Sequence, residues 1–242
     1  EPRLIKILSR GRQAVAGTFE RMGGACYVVP DMARFVQRIF IPSSLTMGAK
    51  SGDKVVCRIT AYPQGKAPNG KVTEVLGKSG DFFTEELAII RNYGLYEEFP
   101  REALEEADKV AAENVTPYGR RDLRGLTTIT IDGDDTRDID DAVSLEIDGE
   151  NYVLGVHIAD VSHYVKLNTP LDREAYARGT SVYFPDMVLP MLPKALSNGA
   201  CSLNEGEDRY AMSCFMVFDG SGKKLGCDIC QSLIRSDHRM TY

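Results

Sequence analysis

The sequence TTITIDGDDTRDIDDAV, residues 127–143, determines how the second half of the chain is expected to fold. It begins with a run of mostly β-branched residues, 127–131, and ends where another strand-forming run starts at Ala142. The ten residues between these runs, 132–141, include six Asp and one Arg. An acidic segment between two strands places its carboxylates at one end of a sheet, where α/β proteins commonly build their sites.

These carboxylates need compensation, because like charges so close in sequence repel one another once folded. Mg²⁺ and Mn²⁺, which prefer hard oxygen ligands, would provide it. A calcium loop is a weaker alternative: the EF-hand spacing counted from Asp132 requires Gly where the chain has Arg137, and Glu where it has Val143. A solvated acidic turn without metal also stays open.

The segments that follow the acidic run alternate between strand and helix patterns, which predicts an α/β arrangement. Turn residues separate the strand patterns, and a Pro opens the helix pattern. The predicted elements are strands at 142–147 and 152–158, a helix at 170–178, and a hairpin of strands 210–218 and 225–234.

The segments before the acidic run differ in character. Two helices are predicted, one over residues 81–93 and one that opens at Pro100, and together they suggest a helical connector. Earlier still, short β-rich runs are punctuated by Gly and Pro, which is typical of a small barrel of the OB type. These five runs are 13–19, 25–29, 35–41, 54–62 and 71–76.

The charge of the chain is uneven. The formal net charge is −6, yet residues 1–75 hold 12 Lys and Arg against five Asp and Glu, whereas residues 76–242 hold 17 against 30. The first part is suited to phosphate and the second to cations. The sequence lacks an apolar stretch long enough for a membrane helix. Its six cysteines lie mostly in apolar runs, which favours a cytoplasmic protein with reduced thiols.

Residues 130–143 resemble the catalytic signature of the RNB family, the exoribonucleases of the ribonuclease II and ribonuclease R types. The resemblance continues in order along the chain and is closer to the ribonuclease R type. Residues 1–75 are similar to the cold-shock domain that precedes the catalytic domain in that type. The later matching segments are GVHIADVSHY (155–164), SVYFP (181–185), LPMLP (189–193), LSNG (196–199), CSLN (201–204) and RMTY (239–242).

The resemblance implies a mixed fold: a five-stranded OB-type cold-shock barrel at 1–76, a helical connector at 77–125, and the N-terminal part of an α/β RNB catalytic domain at 126–242. It implies processive, hydrolytic degradation of single-stranded RNA from its 3′ end, with Mg²⁺ (or Mn²⁺), no organic cofactor, and release of nucleoside 5′-monophosphates. The expected protein is a cytoplasmic monomer at full length with no membrane partner.

The resemblance also assigns site residues. The four signature carboxylates are Asp132, Asp138, Asp140 and Asp141, all expected at the metal. Loss of Asp140 is expected to abolish catalysis most directly, whereas the other two carboxylates of the acidic run lie outside the four. Tyr183 corresponds to the tyrosine that stacks on the 3′-terminal nucleotide. Tyr242, the last residue, corresponds to a tyrosine near the scissile phosphate.

In the barrel, Tyr27 and Phe40 lie on candidate strands and are expected to bind RNA by stacking, with Phe19 and Phe35 nearby. A barrel that serves only as a structural element is the alternative. A basic track for phosphate is expected from Lys and Arg at 10, 12, 21, 34, 38, 54 and 58.

The family's catalytic domain continues past the position of Tyr242. We therefore expect the chain to be a fragment of a longer protein and to be nearly inactive by itself. Two other classes of function stay open: an RNA-binding module without catalysis, and a calcium-binding structural domain. The intact set of four signature Asp favours the enzyme.

Overall fold

Five short strands close into a barrel in the first part of the chain, which confirms the predicted barrel. Apolar side chains fill its interior, among them Phe19, Ile39 and Ile41, all fully buried in the computed structural model. The strands are β1 (Ala14–Met22), β2 (Ala25–Pro30), β3 (Ile39–Ile41), β4 (Asp53–Ala61) and β5 (Asn69–Lys78).

The barrel closes because β1 pairs antiparallel with both β2 and β4, while β3 lies parallel to β5. The helix α1 (Phe82–Tyr93) packs against it and confirms the helix predicted over 81–93. Asp81 caps its start by accepting a hydrogen bond from the Thr84 N–H. The Asn92 amide oxygen accepts one from the Ala16 N–H at 2.8 Å, which ties the helix to β1.

A seven-stranded sheet dominates the second part of the chain. Four of its six neighbouring strand pairs are antiparallel, and two of these are the hairpins predicted from the turn residues at 148–151 and 219–222. Its strands are β6 (Arg121–Asp122), β7 (Ile129–Asp132), β8 (Asp141–Asp148), β9 (Asn151–Ala159), β12 (Asp208–Phe218), β13 (Lys224–Arg235) and β14 (His238–Thr241). Two further strands, β10 (Val182–Tyr183) and β11 (Val188–Leu189), form a separate small hairpin.

The order across the large sheet is β14-β7-β8-β9-β12-β13-β6, with parallel pairing only at its two edges. The helices of this unit share one buried core with the sheet, with residues such as Leu171, Leu196 and Leu203 in it. One of these helices has the bounds predicted from the sequence, 170–178. The helices are α2 (Arg101–Ala111), α3 (Val161–Tyr164), α4 (Pro170–Arg178) and a π-helix (Ala195–Ala200).

A chain of buried polar side chains crosses the middle strands of the large sheet. The His157 imidazole lies 2.9 Å from the Ser144 hydroxyl and 2.7 Å from the Ser213 hydroxyl. Ser213 lies 2.6 Å from the Ser232 hydroxyl, and Ser232 donates to the Ala211 carbonyl at 3.1 Å. Ser232 uses its one hydroxyl hydrogen on that carbonyl, so Ser213 must donate to Ser232. Ser213 then has no hydrogen left for His157, and the His157 Nδ1 must donate to Ser213.

Burial favours the neutral imidazole, and with Nδ1 as its donor the Nε2 atom then accepts from Ser144. A close approach of strands makes this possible. A Cβ added at Gly155 would lie 2.2 Å from the Ser144 Oγ and 2.8 Å from the His157 Nε2. Glycine at this position leaves room for the contact, and the network fixes the register of β8 directly behind the acidic loop.

The two parts of the chain are separate compact units that divide between Tyr96 and Glu97. The helix α1 belongs to the first unit and α2 to the second, so the segment predicted as a connector spans the division. The predicted domain bounds themselves stay a prediction.

The structure describes residues 14–33 and 37–242. Within those ranges, no helix is both long enough and apolar enough to span a membrane.

Candidate active site

The loop 133–140 connects β7 to β8 and carries most of the acidic run. It opens with a turn in which the Thr136 N–H donates to the Gly133 carbonyl at 3.1 Å. Farther along, Ile139 stands between Asp138 and Asp140 in the sequence, and its side chain is buried in the core. This apolar residue anchors the loop, and so the carboxylates on either side of it are held at the end of the sheet.

Ser202 fixes the same stretch of loop from the segment after the π-helix. Its hydroxyl is fully buried, accepts a hydrogen bond from the Ile139 N–H at 3.1 Å and donates one to the Arg137 carbonyl at 2.9 Å. The Leu203 N–H donates to the Ile139 carbonyl at 2.9 Å. Sequence reasoning missed Ser202, although it lies in the CSLN segment that carried part of the resemblance.

Arg239 holds the other end of the loop. Its Nη2 atom lies 3.3 Å from the Gly133 carbonyl oxygen, 3.1 Å from that of Asp134 and 2.6 Å from that of Thr136. Its backbone belongs to β14, which pairs with β7 and places Arg239 opposite Thr130. Sequence reasoning missed this role, because the contacts are to backbone atoms more than 100 residues away.

The four signature carboxylates influence one another electrostatically. Burial raises the pKa of the Asp132 carboxyl, and the charges of Asp141 and Asp138 raise it further. The positive charge of Arg239 opposes this rise. Asp140 keeps an exposed surface, yet the protein atoms around its carboxyl group raise its pKa, and the other three carboxylates add to the rise. The fold therefore concentrates negative charge that is only partly compensated.

This donor set fits a hard divalent cation. Carboxylate oxygens are the ligands that Mg²⁺ and Mn²⁺ prefer, and Mg²⁺ typically takes one or two from the protein and fills its shell with water and phosphate oxygens. Within residues 14–33 and 37–242, no three or more His, Cys, Asp or Glu side chains come together in an arrangement that could hold a metal ion. The fit to a cation therefore rests on the chemistry of the carboxylates, and the ion would need water or phosphate oxygens to complete its shell.

Tyr183 lies beside this loop at the end of β10. Its hydroxyl donates to the Asp138 Oδ2 atom at 2.5 Å, and this hydrogen bond, with burial, raises the pKa of Tyr183 to about 12. The ring borders a cavity of about 650 Å³ between the acidic loop and the segment after β10. Other residues lining the cavity include Phe184, Lys194 and Asn198.

Tyr242 follows β14, in which Thr241 pairs with Asp132. The pairing brings the end of the chain to the end of β7 that carries the acidic run, while the Tyr242 side chain is 97% exposed. Its role stays a prediction.

In the barrel, Tyr27 and Phe40 are direct neighbours. They are paired across β2 and β3, and their rings meet edge to face with centroids 5.9 Å apart. Both side chains are half-buried. The two aromatic residues predicted to contact RNA thus form one pair on adjacent strands.

The prediction that Lys54 belongs to the phosphate track was wrong, and Phe19, named near the aromatic pair, does not reach the barrel surface. Phe19 is fully buried in the barrel core, because its position in β1 faces the interior. The Lys54 ammonium is also buried, 2.9 Å from an Asp31 oxygen and 3.0 Å from a Glu85 oxygen, so it stabilises the fold and does not face phosphate. Of the remaining basic positions, 21, 38 and 58 are exposed, whereas 10, 12 and 34, like the aromatic at 35, lie outside the described residues.

Family models match both parts of the chain. The model of the RNB domain family matches residues 120–242, and that of the cold shock domain matches residues 27–100. Ribonuclease R of Thermotoga maritima is 44% identical over 246 residues, which are 99% of this chain and 35% of the relative. The chain spans about a third of the length of the first curated relatives that it matches.

Solved structures give the same result. A structure titled Mycoplasma genitalium RNase R in complex with double-stranded RNA superposes with a TM-score of 0.86 at 31% identity, covering 99% of this chain and 43% of that one. Yeast Ssd1, described as a pseudonuclease, superposes with a TM-score of 0.74 at 20% identity, covering 98% of this chain and 31% of that one. The second likeness shows the fold alone.

Proposed function

We propose, because this chain belongs to the RNB family, that it supplies the acidic part of a metal-dependent active site for RNA hydrolysis. The whole protein would degrade single-stranded RNA from its 3′ end to nucleoside 5′-monophosphates and act as a monomer. The observation that carries this proposal is the anchored loop 133–140 with the adjoining Asp132 of β7, where mutual repulsion contributes to the raised pKa values of Asp132 and Asp140. A site that concentrates uncompensated carboxylates is suited to a cation.

The cation would be held by Asp132, Asp138, Asp140 and Asp141, with Mg²⁺ preferred and Mn²⁺ an alternative. When bound, such an ion supplies positive charge against the negative charge that develops on a phosphodiester. The protein contributes the placement of the carboxylates, through the buried Ile139 and the hydrogen bonds to its neighbours. Among the four, Asp140 is the position whose loss should reduce activity most.

RNA binding would use aromatic surfaces in both units. Tyr183 borders a cavity of about 650 Å³, within the range of roughly 300–1,000 Å³ typical of small-molecule sites, so a nucleotide base has space beside its ring. The pair of Tyr27 and Phe40 offers a second stacking surface on the barrel. Stacking accepts any base, which suits an enzyme that degrades RNA regardless of sequence.

The alternative is an RNA-binding module without catalysis. The fold alone does not separate the two, since a pseudonuclease shares it. The intact set of four interacting carboxylates favours the enzyme, because binding RNA by itself gains nothing from negative charge beside the phosphates.

The test uses the whole protein that contains this chain, a 5′-labelled single-stranded RNA and Mg²⁺. We expect the label to collapse to a short end product, and Asp140→Asn to slow this by orders of magnitude. Asp134→Asn is the matched control: it makes the same change of charge in the same acidic run and should retain activity. RNA left intact by the wild type would refute the enzyme, and a fully active Asp140→Asn would refute the assignment of the centre.

A further inference from the structure

The Tyr183 side chain combines two features that serve different purposes. Its ring, which is exposed beside the cavity, is all that base stacking requires. Its hydroxyl adds nothing to stacking, yet it donates to the Asp138 Oδ2 atom at 2.5 Å. A hydroxyl donor and a carboxylate acceptor form a charge-assisted hydrogen bond, which fixes the position of the acceptor oxygen.

The backbone that carries Tyr183 is well ordered by hydrogen bonds. Tyr183 pairs with Val188 across the small hairpin, and the Phe184 N–H donates to the Met187 carbonyl at 2.8 Å to close its turn. Just before the hairpin, the Ser181 hydroxyl accepts from the Met191 N–H at 2.9 Å. The hydroxyl of Tyr183 is thus presented to the acidic loop from a constrained position.

The carboxylate that it meets is constrained from the other side. Asp138 precedes the buried Ile139, whose backbone N–H and carbonyl are both held by the segment 202–203. What remains free at Asp138 is rotation of the side chain. A donor on Oδ2 limits that rotation and leaves Oδ1 available to a cation.

We propose that the Tyr183 hydroxyl is a positioning group for Asp138, and that it couples nucleotide binding in the cavity to metal binding at the loop. This inference rests on the proposed function. A base stacked on the ring restrains the ring, the restrained hydroxyl orients Asp138, and the oriented carboxylate binds the cation more tightly. By linkage, a bound cation must strengthen RNA binding by the same factor.

The experiment separates the ring from the hydroxyl. Mn²⁺ binding to the chain is measured by the electron paramagnetic resonance of free Mn²⁺ for the wild type, Tyr183→Phe, Tyr183→Ala and a control, Tyr176→Phe. Tyr176 lies on α4 and is 88% exposed. Loss of a group that orients a metal ligand typically weakens metal binding about 10–100-fold, so both Tyr183 variants should weaken Mn²⁺ binding about tenfold or more, and the control should match the wild type.

RNA binding supplies the second readout. Without metal, Tyr183→Phe should bind a short single-stranded RNA as the wild type does, because its ring remains, whereas Tyr183→Ala should bind it several-fold more weakly. With saturating Mn²⁺, the wild type should gain RNA affinity, and Tyr183→Phe should lose most of that gain. Thermal unfolding of each variant verifies that it is folded.

The outcomes distinguish this inference from the function on which it rests. If Tyr183→Phe binds Mn²⁺ like the wild type, the hydroxyl does not position Asp138, although the proposed function survives. If Tyr183→Phe loses RNA affinity without metal and keeps Mn²⁺ affinity, the hydroxyl contacts RNA and the inference is wrong. If the wild type binds no Mn²⁺ at all, the proposed metal site fails and this inference falls with it.

Discussion

Protonation of His157 should destabilise the second unit as the pH falls. The ring is fully buried, and burial lowers its pKa from 6.5 to about 4. In the unfolded chain it takes up a proton near its ordinary pKa of about 6.5. Between these two values the unfolded state binds more protons than the folded state, so the free energy of unfolding decreases as the pH decreases and levels off below about 4.

The magnitude follows from the difference between the two pKa values. Each pKa unit corresponds to about 1.4 kcal/mol, so the drop from 6.5 to about 4 predicts a loss of about 3 kcal/mol between pH 7.5 and pH 4. The loss has a structural cause, because the imidazolium would be buried away from water and the Ser144 hydroxyl would have to turn from donor to acceptor at Nε2. A domain with a typical stability of about 5–15 kcal/mol would register this clearly.

The assay compares the wild type with His157→Gln in urea at several pH values between 7.5 and 4. Hydrogen exchange of peptides from β8 and β9 reports the unfolding of the unit that contains His157. The wild type should lose about 3 kcal/mol more than the variant across this range. His238→Gln is the control, since His238 is exposed on β14, and it should follow the wild type. Parallel curves for the wild type and His157→Gln would refute a buried neutral histidine.

Three further perturbations test the supports of the site and the sheet. Ser202→Ala leaves two backbone groups of the acidic loop without their partner, so the free energy of unfolding measured in urea should fall by about 2 kcal/mol. An unchanged free energy of unfolding would contradict the anchoring role. Gly155→Ala places a methyl group against the hydroxyl–imidazole contact and should lower the free energy of unfolding by about 1–3 kcal/mol in the same assay. Gly226→Ala, with open space around it, should lower it less. Arg239→Lys replaces a guanidinium that reaches three carbonyls by a single ammonium, so Mn²⁺ binding should weaken about tenfold while the fold persists; wild-type Mn²⁺ affinity would exclude Arg239 as a support of the loop.

The sequence predicted the helices and strands of the fold better than the burial and the contacts of individual side chains. The strand runs, the helix at 170–178 and the acidic segment at the end of a strand were all readable, because each depends on local periodicity and turn residues. The helix confirms this most directly, since Pro and Gly mark its two ends.

The errors arose where distant partners decide a residue's role. Lys54 has the character of a surface cation, but its ammonium is buried between carboxylates 23 and 31 positions away along the chain. Phe19 could face either side of its strand until the closure of the barrel selected the interior. Ser202 and Arg239 bind backbone atoms, which leave no trace in the composition of the acidic run.

The contacts of Arg239 make part of the acidic loop tolerant to chemical change. The guanidinium holds carbonyl oxygens, which every amino acid possesses, and so the clamp is indifferent to which side chains stand at 134 and 135. Both of those side chains are exposed. A cysteine installed at position 134 could carry a fluorophore or a spin label in the same loop as the carboxylates and so report on the site, whereas position 135 borders the cavity beside Tyr183.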